Sequence, residues 1–228
     1  MCGRYTLWHG KRELDLLFEV AIHKEELSAR YDIRPTQSVI IVRQQGTQRA
    51  WGSVRWGLVP SWVKDPQTFR TPLFNARAET LAEKPSFRTA FKRRRCLIPA
   101  SGFYEWQGAK GSKQRHYIGR TDKEPLALAG LWESWERNGE AVESCTILTT
   151  RANKLMSGLH DRMPVILDPE HFDLWLDPDM QDTTILEGLL QPYPDGDLEA
   201  YPVGSYQGED PRLIKRLNAE EAAGGPRA

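Results

Sequence analysis

Cysteine is scarce in this sequence: Cys2, Cys96 and Cys145 are the three present in 228 residues. An odd number without regular spacing supports neither a disulfide framework nor a zinc cluster, and points to reduced thiols in a cytoplasmic chain. Long apolar runs are missing too. No stretch of roughly eighteen apolar residues occurs, and no N-terminal segment joins a basic stretch to an apolar run and a cleavage site, so neither membrane spanning nor secretion is expected. Glycine-rich phosphate loops, HExxH and CxxC are all absent, and no metal or organic cofactor is expected. Net charge is absent as well, with 31 basic residues against 31 acidic ones. Summed charge alone therefore predicts no polyanion partner.

The distribution of charge differs from its sum. From Lys84 to Arg95 the stretch "KPSFRTAFKRRR" carries six basic residues and no acid, whereas Asp168 to Glu199 carries ten acids and no Lys or Arg. One face can be basic while the molecule is neutral, which makes Lys84, Arg88 and Lys92 to Arg95 candidates for a groove; the alternative is two solvated helix faces.

Proline and glycine are scattered rather than gathered into a linker. One domain over residues 1–217 is expected, followed by a disordered tail, "NAEEAAGGPRA", from 218 to 228. Periodicity predicts helices at "RELDLLFEV" and "PSFRTAFKRR", and short ones at "ANKLMSGLH", "PEHFDLWL" and "DTTILEGLL". Strands are predicted at "SVIIVR", "AWGSVRWGLV", "RCLIP", "GFYEW", "RHYIGR", "LALAGLWESW" and "ESCTILTT". Strands outnumber helices in the middle without alternating with them. The expected class is α+β, a largely antiparallel sheet or open β-barrel with peripheral short helices.

Cys2 follows the initiator methionine in "MCGRYT". Aminopeptidases remove methionine before a small residue, which would leave an α-amine and a thiol on adjacent carbons. An α-amine titrates near about 7.7 to 8.0, far below lysine at about 10.4, so a useful fraction is neutral and nucleophilic at neutral pH. Such an amine attacks an aldehyde to give an imine. The neighbouring thiol then closes a five-membered thiazolidine ring, favoured because the step is intramolecular. The alternative is a buried thiol in an N-terminal strand.

Three further segments carry polar chemistry. In "PLFNARAE", Asn75 can orient a substrate oxygen or amine and Arg77 can hold a phosphate in its planar fork, although Asn75 can equally cap a helix starting at Ala76. In "LIPASGFYEWQ", alternation puts Glu105 on the face of Phe103, with Tyr104 and Trp106 opposite. Desolvation there favours the protonated carboxyl, a form suited to proton transfer; a paired, exposed strand glutamate is the alternative. In "SGLHDRMPVIL", His160 closes a short helix at a turn, where it can reach a cleft or serve the turn alone. Ser101, Thr149 and Thr150 offer hydroxyls, but their spacing defines no serine triad.

Together, "MCGRYT", "WGLVPSW", "NARAET", "RRCLIPASGFYEW", "TILTTRAN" and "HDRMPVIL" resemble the SRAP family of SOS-response-associated peptidases and abasic-site processing proteins, in order, from Cys2 to about Ile214. The resemblance implies a monomeric protein that binds single-stranded DNA with little sequence preference and cross-links itself to an abasic-site aldehyde through Cys2. It implies a reactive set of Cys2, Asn75, Glu105 and His160, with DNA contacts at Arg4, Trp62, Arg77 and Thr149 and no metal. Two departures stand out: Val63 occupies the place of a second tryptophan, and the stretch "YPVGSYQGEDPRLI" is shorter than usual. An N-terminal cysteine peptidase or amidase that does not act on DNA, and a non-catalytic DNA-binding module, are the competing expectations.

Overall fold

The computed structural model describes residues 2–22, 27–69, 71, 73–109, 112–218 and 220–221. Met1, whose removal was expected, and most of the expected disordered tail lie outside the described residues. The chain runs β1 (Tyr5–Leu7), α1 (Lys11–Phe18), β2 (Val20–Ile22), β3 (Arg30–Ile33), β4 (Ser38–Gln45), β5 (Gln48–Trp56), β6 (Asn75–Arg77), α2 (Arg88–Arg93) and β7 (Arg95–Ala100). It continues with β8 (Gly102–Gln107), β9 (Gln114–Arg120), β10 (Leu126–Arg137), β11 (Glu140–Arg151), α3 (Lys154–Ser157), β12 (Arg162–Pro164), α4 (Phe172–Leu176), α5 (Thr183–Gly188) and β13 (Leu198–Pro202). Short 3-10 turns occupy Ala78–Thr80, Pro169–His171 and Pro211–Ile214.

Five strands form a barrel in the order β11-β10-β7-β4-β5, and a parallel pairing of β5 with β11 closes it. The expected strand-dominated fold with short peripheral helices is the one that forms, with the barrel closed rather than open. Two hairpins supply most of its wall. The β10–β11 pair turns on Asn138-Gly139, both at positive φ (53° and 81°), the sequence that a two-residue hairpin turn favours. The β4–β5 pair turns at Gly46, φ 61°. Every residue of β7, "RCLIPA", is buried, which explains its continuous apolar character.

The barrel interior is filled by Trp56, Ile41, Cys96, Ile98, Leu128, Cys145 and Ile147 among others. Each large apolar side chain so buried contributes about 1.5 to 3 kcal/mol. Arg95 is buried too, and its guanidinium donates to the carbonyls of Trp175 (2.6 Å), Phe91 (2.8 Å), Lys92 (2.7 Å) and Asp177. Of the basic run, this residue is therefore structural. Arg94 pairs with the buried Glu133 at 2.8 Å, while Lys84, Arg88, Lys92 and Arg93 are exposed. Arg88, Thr89, Lys92 and Arg93 line an open cavity of about 300 Å³.

A second sheet, in the order β13-β9-β8-β1-β3, packs beside the barrel. One face carries Phe103 and Ile118 into the main core; the other carries Tyr104, Tyr117 and Tyr201 into a separate aromatic cluster. Gly102 opens β8 where it must be glycine. A Cβ there would lie 2.4 Å from the Tyr117 ring and 2.6 Å from the Ile118 carbonyl. This sheet carries β1, and so the N-terminal cysteine, against β8.

Candidate active site around the N-terminal cysteine

The long strand β11 organises the site. Its first half pairs with β10; beyond that, β12 takes over on one side, through Thr149↔Pro164 and Arg151↔Arg162. On its other flank it pairs in parallel first with β5 and then with β6, through Ile147↔Asn75 and Thr149↔Arg77. Asn75 is thereby fixed in a strand, so it caps no helix. The 3-10 turn that follows has Arg77 in the capping position and no side-chain cap. The Asn75 amide instead donates to the Cys2 carbonyl at 2.9 Å.

Cys2 is almost fully buried. It precedes β1, which runs antiparallel to β8 with Tyr5 opposite Phe103, and Tyr104 N–H donates to the Arg4 carbonyl at 3.0 Å. Continuing that direction brings the terminus alongside Glu105, which is buried on the Phe103 face, as alternation predicted. Burial first, and the Glu105 charge second, push the Cys2 thiol far above its usual range. At neutral pH the sulfur carries its proton. Glu105 and Asn75 therefore bracket Cys2 from two different parts of the fold.

Arg4, two residues further on, reaches the other face of the sheet. Its guanidinium lies over Trp106 (5.4 Å to the ring centre) and pairs with the buried Asp32 at 3.6 Å. Arg115 lies over the same tryptophan at 5.5 Å. Arg77 is exposed and has no carboxylate partner among the described residues. Thr149, its neighbour in β11, is fully buried and donates to the Ala76 carbonyl at 3.4 Å.

His160 follows α3, whose N-cap Asn153 accepts from Met156 N–H and whose last turn holds His160 N–H on the Met156 carbonyl at 2.8 Å. Its Nδ1 lies 3.0 Å from Arg162 N and 2.7 Å from Asp161 Oδ1. The Gln107 amide donates to the Gly158 carbonyl at 2.8 Å, which ties this loop to the strand of Glu105. Trp62 stands apart, exposed and set edge-on against Phe69, with no contact to the Cys2 group among the described residues. Val63 turns inward beside Val59 and Trp135, and Trp135 Nε1 donates to its carbonyl at 2.7 Å. An apolar residue there anchors the loop that displays Trp62.

Two residues at the site take their roles from tertiary contacts rather than from motifs. Arg162 makes a bidentate pair with Glu79 (2.6 and 2.8 Å) and donates to the Thr149 carbonyl at 2.5 Å, clamping the 3-10 turn after β6 to β11 and β12. His116 stands directly opposite Glu105 in the β8–β9 ladder. Only strand pairing would have revealed either one.

A closed barrel with a flanking sheet sets Cys2 between a buried carboxylate and a strand-held carboxamide, an arrangement that defines a strand-rich domain with its site at the start of β1. The chain belongs to the SRAP family: the family model for SOS response associated peptidase (SRAP) matches residues 1–208. It is 40% identical over 223 residues to the abasic site processing protein YoqW of Bacillus subtilis (strain 168), covering 94% of this chain and 99% of that one. Similarity to the abasic site processing protein YedK of Escherichia coli (strain K12) is 28% over 181 residues, covering 77% and 79%. A crystal structure of a Bacteroides thetaiotaomicron protein superimposes with a TM-score of 0.86 at 25% identity, over 95% of this chain and all of that one.

Proposed function

We propose that this protein processes abasic sites in single-stranded DNA by covalent capture of the sugar aldehyde on Cys2 once Met1 has been removed. The observation that carries the reading is the bracketing of Cys2 by the Asn75 amide on its carbonyl and the Glu105 charge at its thiol. Glu105 serves as the acid and base that opens the cyclic hemiacetal of the deoxyribose to its aldehyde. The neutral α-amine of Cys2 then adds to the carbonyl carbon, and loss of water gives an imine. The thiol next adds across the C=N bond, its sulfur to carbon and its proton to nitrogen, closing the thiazolidine. A thiol that keeps its proton suits this order, because the amine attacks first. Asn75 holds the terminus in reach of the sugar, and His160 hydrogen-bonds the sugar hydroxyl freed by ring opening. Arg4 and Arg77 take phosphates, Trp62 stacks on a base, and Thr149 sits behind Arg77 as backing for the pocket.

The same imine permits loss of the C2′ proton and expulsion of the 3′ phosphate, so abasic-site lyase cleavage competes with ring closure. Intact mass spectrometry with an oligonucleotide carrying one abasic site tests the proposal. A heat-stable one-to-one adduct mapping to Cys2 is expected, and Cys2→Ala should lose it while retaining lyase cleavage. Catalytic turnover of peptide or amide substrates without any DNA adduct would favour the peptidase reading instead.

A further inference from the structure

Glu105 has a cross-strand partner that no motif marks. In the β8–β9 ladder it lies directly opposite His116, and on the far side His116 lies opposite Pro202 of β13. Residues opposite each other in an antiparallel pair project to the same face, with Cβ atoms about 4.5 to 5.5 Å apart. That face carries Phe103, Glu105 and Gln107 from β8, then Gln114, His116 and Ile118 from β9, so the imidazole shares the side of the sheet on which Glu105 is buried. The loop bearing His160 lies over this face, held by the Gln107–Gly158 hydrogen bond, and α3 packs against β13.

We propose that His116 is a second imidazole of the site, a positioning residue that relays protons between Glu105 and solvent. The inference rests on the reading of Glu105 as the group that opens the sugar ring. Three observations support it. Glu105 is almost fully buried whereas His116, opposite it in the ladder, is only half-buried, so the imidazole reaches solvent from the same face of the sheet. His116 Nδ1 lies 3.3 Å from the Gln114 carbonyl, a long contact that nonetheless requires the proton on Nδ1 and leaves the lone pair on Nε2. Nε2 makes no hydrogen bond among the described residues. Burial also lowers the imidazole below its ordinary range, which keeps it neutral and able to accept a proton near pH 7.

The step balances simply. No direct hydrogen bond joins the two side chains among the described residues, so the transfer runs through water. Glu105, protonated as it removes a proton from the hemiacetal hydroxyl, gives a proton to a bridging water as that water gives one to Nε2. This leaves carboxylate and imidazolium, and the imidazolium returns the Nε2 proton to solvent. By register the charged group opposite His116 is Glu105 of β8, and the charged groups of the loop that Gln107 ties to that strand are His160 and Asp161. On β13 the facing residues, Ala200 and Pro202, are uncharged.

The sign follows from the neutral form being the active one. The relay operates above the ionisation of His116 and fails as pH falls through it, so its benefit is confined to neutral and alkaline pH. Single-turnover rates of adduct formation at saturating abasic oligonucleotide, measured from about pH 5 to about pH 8, test this in wild type, His116→Gln and His116→Phe. The expected result is a roughly tenfold loss in both variants at pH 8 that shrinks toward none at pH 5. Added imidazole should restore rate to His116→Ala. A loss of equal size at every pH, without imidazole rescue, identifies a merely structural residue and overturns the proposal, as does superposition of the variant and wild-type profiles. Absence of any adduct from wild type overturns the Glu105 reading and this inference with it, whereas a wild-type adduct lost in Glu105→Gln secures that reading independently of His116.

Discussion

At the residue scale, the proposed chemistry depends on where one backbone carbonyl is held. The Asn75 amide fixes the Cys2 carbonyl, and a hydrogen bond of this kind is worth about 0.5 to 1.5 kcal/mol. Asn75→Ala should therefore lower the thermal midpoint by only a few degrees. Its larger effect should be on rate, because loss of orientation at a reacting group costs roughly a hundredfold. Thermal melts and single-turnover adduct rates on the same variant separate the two. Cys2, Glu105 and Asn75 were readable as reactive types and the resemblance grouped them, yet the contact that joins them was not legible, since Asn75 reaches Cys2 through its pairing with β11. The alternation "GFYEW" placed Glu105 on its face correctly because a strand reports its own two sides. It could not report His116, whose position depends on the register of the next strand, nor Arg162, whose partner Glu79 is 83 residues away in sequence.

At the scale of elements, the long strands were legible and the short ones were not. β4, β5 and β7 through β11 have enough residues for alternation, apolar runs or β-branched clusters to emerge. β1, β2, β6 and β12 have three residues each, too few for any period, and they exist because a neighbouring strand offers an unpaired edge. The site is built largely from these short pieces, which explains why its architecture was less readable than the barrel's. β8 tests the point. Gly102→Ala drives a methyl into the Tyr117 ring and the Ile118 carbonyl, which is backbone and cannot swing aside. It should destabilise the protein by about 2 kcal/mol or more, by the mechanism of overpacking, and should displace Glu105 with the strand. Denaturant unfolding measures the first effect and adduct rate the second.

At the scale of the whole molecule, neutrality and local charge make separate predictions. On the proposed function, DNA affinity should fall steeply with salt, because exposed cations such as Arg77 would meet phosphates whatever the net charge. Fluorescence anisotropy across a salt series checks this, and a flat response would contradict it. Acid stability follows from paired carboxylates. The Arg120 side chain holds Asp122 down at about 2, and Arg162 holds Glu79 below its usual range. A depressed carboxylate contributes stability above its unfolded value of about 4 and loses it as pH falls toward the folded one. Both carboxylates are about half exposed, so solvent screening limits each pair to less than about 1 kcal/mol. Thermal midpoints between about pH 5 and about pH 2 should fall less steeply in Asp122→Asn than in wild type. The parallel seam between β11 and its partners β5 and β6 has a further consequence during synthesis. Cys2 is docked by Asn75, and Asn75 is itself docked by a strand that ends at Arg151. At about 5 to 20 residues per second, the amino terminus of a growing chain waits roughly 7 to 30 seconds for its pocket. During that interval it lies open to an aminopeptidase on the ribosome, so under the proposed removal of Met1 the order of strand assembly leaves time for that cleavage before the fold encloses Cys2.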